Sequence, residues 1–113
     1  MKQISYQEAP ENIVTDPAAK GAHVRVLIGP ADGAKNFVMR RFRINAGGYT
    51  PLHRHEWEHE IFILAGQGGM MTESGPRPIK AGEAILVAGN ELHQFQNPGP
   101  ADLEFLCLIP AEK

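Results

Sequence analysis

The chain has a single cysteine, Cys107, so no internal disulfide can form and a reducing compartment is the natural expectation. No apolar stretch reaches the roughly 18 residues of a membrane-spanning helix, which leaves no span of that kind to be expected. The opening residues Met1-Lys2-Gln3-Ile4-Ser5-Tyr6 lack the apolar core of a secretion signal, and a cytoplasmic location is expected. Charge of one sign is lacking too. With 11 Lys and Arg against 13 Asp and Glu the net charge is −2, and basic residues occur only in short clusters. Nothing in that pattern favours nucleic acid or an anionic membrane as a partner. There is no internal repeat, and 113 residues suffice for one domain, which excludes two-domain cofactor enzymes.

What the chain has in excess is turn chemistry. Its 12 glycines and 9 prolines make nearly one residue in five a helix breaker, which favours a turn-rich, all-β fold over a helical bundle. These residues bracket short apolar or alternating runs at 23–28, 36–44, 49–55, 59–65, 68–73, 84–88, 92–96 and 102–109, read as strands of a sandwich or barrel. In the last run Leu103, Phe105, Cys107 and Ile109 share one face by the two-residue period. Residues 1–22, with Pro10 and Pro17 and little periodicity, are expected to form an extended arm ahead of a barrel domain at 23–113.

Histidine carries the functional signal. His53, His55 and His59 fall within seven residues and His93 follows at some distance, each cluster beside turn residues: Gly47-Gly48 and Pro51, then Gly89-Asn90. On a strand, residues two apart point the same way about 6 to 7 Å from each other, so His53 and His55 can share one ion. His59 lies about 13 Å further along a straight strand, so it can join them only if the chain bends through Glu56-Trp57-Glu58. The segment His55-Glu56-Trp57-Glu58-His59 also matches the helical H-E-x-x-H motif of zinc proteases. That reading needs a helix which Pro51 and the 65–69 turn residues oppose, and it would put His53 about 200° around the axis from His55.

A different pattern uses more of the chain. Gly47, five residues, His53-x-His55, three residues, His59, six residues, Gly66 resembles the first motif of the cupin superfamily. Gly82, five residues, Ala88-Gly89-Asn90, two residues, His93, three residues, Asn97 resembles the second, with Ala88 where a proline is usual. The usual third ligand of that family is glutamate; the spacing here selects His59, with Glu60 beside it, while the alternation of apolar residues after it leaves the inward face open. The segment from His53 to Phe62 and the tail Glu104-Phe105-Leu106-Cys107-Leu108-Ile109-Pro110 resemble small single-domain bacterial cupins that hold manganese with four histidines.

The resemblance implies a cupin double-stranded β-helix, a jelly-roll barrel, with His53, His55, His59 and His93 around one divalent ion. It implies manganese; iron is the second expectation, and zinc, nickel and copper also suit imidazole. Four neutral imidazoles leave an octahedral ion its full charge and two open positions for water, dioxygen, peroxide or a bidentate carboxylate. Strand parity adds Arg40, Ile61, Phe95, Phe105 and Cys107 as pocket candidates, with Arg40 placed to steer an anion if its face turns inward and salt-bridged at an edge otherwise. The expected function is an oxidoreductase, dioxygenase- or peroxygenase-like, acting on a small aromatic or alkenyl substrate. The alternatives are a non-redox lyase, isomerase or decarboxylase, and a non-catalytic small-ligand binder. His23 lies outside the motifs, Trp57 is expected as a packing anchor, and Glu56, Glu58 and Glu60 as solvated charges or supports for the imidazoles. The family's habit of exchanging N-terminal strands implies a homodimer.

Overall fold

A computed structural model describes residues 1–112. Nine strands form one curled, wholly antiparallel sheet: β1 (Asn12–Ile13), β2 (Lys20–Ile28), β3 (Phe37–Tyr49), β4 (His59–Ala65), β5 (Gln67–Thr72), β6 (Gly75–Lys80), β7 (Ala84–Val87), β8 (His93–Gln96) and β9 (Leu103–Pro110). Their spatial order is β6-β5-β8-β3-β9-β4-β7, with β2 and β1 added on the far side of β3. The all-β jelly-roll expectation is met. Among the described residues no helix is long and apolar enough to cross a membrane.

Alternation along β4 and β9 builds the interior. On β9, Leu103, Phe105, Cys107 and Ile109 are buried, and on β4, His59, Ile61 and Ile63 are, while Glu60 and Phe62 face out. Phe105 stacks on Phe42 at 5.3 Å and packs against Phe95 at 4.6 Å, which ties β9 to β3 and β8 through one aromatic layer.

Two strand expectations are corrected. The 49–55 run is not a strand: β3 runs on to Tyr49, and beyond it only His53 bridges to His93. Conversely, β6 lies in a stretch where no strand is expected, and it contains Pro76 and Pro78, residues that disfavour one. They are tolerated because β6 ends the sheet path, where a missing N–H can face away from its one partner, β5. The turn positions of both motifs hold left-handed backbone, with φ of 79° at Gly47, 83° at Gly66, 91° at Gly82 and 66° at Asn90. At Gly66 a side chain is excluded twice, since a Cβ would also collide with the Asp102 carbonyl.

The arm folds back on its own barrel. Lys2 pairs with Asp32 at 2.7 Å, Tyr6 lies under the Arg41 guanidinium at 3.9 Å, and Asn12 and Ile13 pair with Val24 and His23 of β2.

Candidate metal centre

Two motifs distant in sequence meet through backbone hydrogen bonds. His53 and His93 exchange N–H···O=C bonds of 3.1 and 3.0 Å, and the Asn90 N–H donates to the His55 carbonyl at 2.6 Å. The chain bends at Glu56-Trp57 and restarts as β4 at His59, so the H-E-x-x-H segment is not helical. That bend brings the third histidine back toward the pair. The imidazole donor atoms of His53, His55 and His93 lie within 4.8 Å of one another, a group that can hold a metal ion. His59 stands beside them, its Nε2 2.6 Å from Nε2 of His55.

The rings are fixed by partners on their other nitrogens. Nδ1–H of His55 donates to the Trp57 carbonyl at 3.0 Å and Nδ1–H of His93 to the Glu91 carbonyl at 2.9 Å, so both turn an Nε2 lone pair inward. The His55 ring is held between Trp57 and His59, each 4.3 Å away and nearly parallel, so Trp57 is the packing anchor expected. His59 Nε2 faces His55 Nε2, and its other ring nitrogen, Nδ1, lies 3.1 Å from the Cys107 thiol, which holds the ring in place.

Burial favours the neutral form of His53, His55 and His59, which is the ligand form. Desolvation is the main cause that lowers the pKa of His53 and His55, and with the charges of His55 and Arg40 it pushes His59 from 6.5 down to about 3. Imidazole donors, the fixed rings of His55 and His93 and convergence on one point together fit a divalent ion. Glu60 faces out on β4, and Glu56 and Glu58 are exposed, so strand alternation decides the question that sequence parity left open. His23 bonds Asn45 at 2.8 Å, away from the cluster.

Beside the histidines lies a cavity of about 380 Å³, lined by His53, His59 and His93 and walled by Phe42, Phe95 and Phe105. Of the expected pocket residues, Arg40, Phe95, Phe105 and Cys107 line it, whereas Ile61 lies in the hydrophobic core. The strand-edge alternative for Arg40 is overturned: its guanidinium lies 4.9 Å over the Phe42 ring and donates to Cys107 Sγ at 3.2 Å, and its buried Nε has no partner. Arg40, Cys107, His59 and His55 thus form a continuous hydrogen-bond chain from the cavity to the cluster. Nothing in the sequence pointed to Ile13, Val14, Thr15 and Asp16, which also line the cavity; an aperiodic arm carries no signal of where it packs.

A jelly-roll barrel with histidines from two glycine-flanked motifs at its mouth defines a cupin. Residues 40–109 match the Cupin_2 family, described as Cupin domain, and the chain belongs to that family. It is 36% identical over 110 residues, 93% of this chain and 89% of the relative, to an oxalate-binding protein of Thermotoga maritima. It is also similar to the solved structure of the polyketide cyclase RemF from Streptomyces resistomycificus, with a TM-score of 0.94 and 36% identity, covering 99% of this chain and 80% of that one. A 1-methylthio-D-xylulose 5-phosphate methylsulfurylase of Rhodospirillum rubrum is 32% identical over 75 residues, 66% of this chain; the match spans about half, 48%, of that longer relative.

Proposed function

We propose that the chain is a four-histidine metal cupin, with His53, His55, His59 and His93 as ligands and manganese or iron as the ion, that takes a small organic anion into its barrel. The carrying observation is the unpartnered Arg40 Nε in an apolar cavity that opens beside the histidine cluster. A buried guanidinium N–H without an acceptor is costly, and a ligand carboxylate or enolate supplies the acceptor. When bound, the ion supplies Lewis-acid polarisation of the ligand's oxygens. The chain's residues do the rest. Arg40 draws the negative charge inward, Phe42, Phe95 and Phe105 hold the apolar body and exclude water, and Asp16 is the one carboxylate on the lining among the described residues.

This reading favours a non-redox cyclase, isomerase, lyase or decarboxylase. Support comes from relatives whose names specify oxalate binding and polyketide cyclisation, both involving oxygen-rich anions or enolisable carbonyls. Oxidation of an aromatic or alkenyl compound is the second reading, favoured by the all-imidazole donor set, which leaves ligand positions open. A homodimer is part of the proposal, because the contacts between arm and β2 can form between two chains as well as within one; loss of residues 1–15 would then lower the mass in solution.

The test begins with metal analysis of protein grown with manganese, iron and zinc. Near-stoichiometric metal that falls in His59→Ala but not in Glu60→Ala supports the four-histidine site, and the reverse pattern refutes it. With cobalt loaded as a spectroscopic probe, oxalate and benzoylacetate should perturb the visible bands, and Arg40→Gln should weaken both about tenfold or more. Unchanged affinity in that variant refutes the anion role. Turnover of the enolisable ligand without dioxygen supports the first reading, and turnover only with dioxygen or peroxide supports the second.

A further inference from the structure

The barrel's own strands do not line the whole cavity, and the arm supplies part of one side. Ile13 and Val14 come from the short strand β1 and its end, and Thr15 and Asp16 from the turn after it. Val14 packs against the hydrophobic core, but the backbone of this wall is held by few bonds. β1 has two residues, and beyond it the Val14 N–H reaches only the Ala22 carbonyl at 2.9 Å. The Asp16 carboxylate is used locally, accepting from the Ala18 N–H at 2.9 Å, so it shapes the turn and does not anchor the wall.

The arm is held upstream at Lys2, Tyr6 and Ala9, and the side-chain anchor nearest the wall lies just before it, outside the cavity. Glu11 accepts from Arg43 at 2.7 and 3.1 Å, stands 3.6 Å from Arg25 and 4.0 Å from His23, and Arg43 holds its carboxyl below the usual carboxylate range. Both arginines project from β2 and β3, so one side chain fastens the arm to two adjacent barrel strands. A bidentate arginine–carboxylate pair with a second arginine nearby is the kind of surface contact that holds geometry.

We propose that Ile13, Val14 and Asp16 form the ligand-selecting wall of this cavity, and that Glu11, acting from outside it, is the positioning residue that keeps the wall closed. The proposal rests on the cavity being the ligand site. It assigns size selection to the arm and leaves metal binding to the histidines. A two-residue strand opens at low cost, so admission of a bulky ligand requires local release of the arm and not unfolding of the barrel.

Cys107 makes this testable without metal or substrate, because it is the chain's only cysteine, is buried and lines the cavity. Its labelling by methyl methanethiosulfonate and by benzyl methanethiosulfonate, which react alike but differ in size, reads the wall directly. Glu11→Gln, which keeps the shape and removes the charge, and Ile13→Ala, at a residue 68% exposed, are both expected to fold. In each, benzyl labelling should rise about fivefold or more with methyl labelling changed less than about twofold, and low urea should have little effect on either rate. An unchanged benzyl-to-methyl ratio in both variants overturns the proposal. So does an equal rise for both reagents that steepens with urea, since that marks global unfolding as the route. Because neither metal nor ligand is present, this result is independent of the proposed function, which fails separately in the metal and anion titrations.

Discussion

Acid should destabilise the metal-free protein, and His59 should account for a definable part of that loss. Its imidazole is 7% exposed, and burial places its pKa at about 3 in the folded chain against 6.5 for an ordinary histidine. The folded state therefore holds His59 neutral down to strongly acid pH, while the unfolded chain protonates it below about 6.5. Since the unfolded state then binds the extra proton, stability is fully present above 6.5 and is lost as pH falls toward 3. Linkage gives a loss of about 2 kcal/mol between pH 7 and 5, rising to about 3 kcal/mol at pH 4. With a urea slope of about 2 kcal/mol per molar for a domain of this size, the midpoint should fall by about 1 M between pH 7 and 5 from this group alone. His53 and His55, whose pKa values are also lowered, add to the fall in the same direction. The assay is urea denaturation of chelator-treated protein at pH 7, 6 and 5, for the native chain and for His59→Gln, which cannot titrate. The variant should lose about 2 kcal/mol less than the native chain over that range. Equal losses would refute the reasoning, because the burial of a neutral His59 would then contribute nothing to the acid response.

Three further outcomes follow from packing and backbone geometry, all read from urea midpoints at pH 7. Phe105→Ala, which empties the centre of the aromatic layer from a residue 1% exposed, should cost about 3 to 5 kcal/mol. Asn97→Ala should cost about 1 to 3 kcal/mol, because the Asn97 amide donates to the carbonyls of Ile44 and Ala101 at 2.8 Å each and both bonds are lost when it is removed. Gly66→Ala should destabilise by more than about 1 kcal/mol, since its φ of 83° disfavours a side chain and the Asp102 carbonyl occupies the Cβ position. A near-neutral result for any of them would contradict the contact on which it is based.

The turns were the most legible part of the chain, because glycine and asparagine at a left-handed position act locally. Gly47, Gly66, Gly82 and Asn90 all adopt the backbone that their place in the motifs requires. The inward face of β9 was equally plain, since its burial alternates without a break. Legibility failed where a residue's role depends on a distant neighbour. Pro76 and Pro78 argue against a strand until β6 is seen at the end of the sheet path, and the 49–55 run resembles a strand although its histidines are held by a single bridge and by backbone bonds to the second motif.

By itself the sequence determined the fold class and singled out the two histidine motifs, because turn chemistry, strand alternation and short-range spacing are written into neighbouring residues. The tertiary structure alone decided which way β4 faces, and so that His59 and not Glu60 turns toward the cluster. It also decided that Arg40 lies in the cavity with an unpartnered N–H and that the arm forms one wall of it. Those facts join β1, β3, β4, β8 and β9, elements far apart along the chain, and depend on how the curled sheet brings them together.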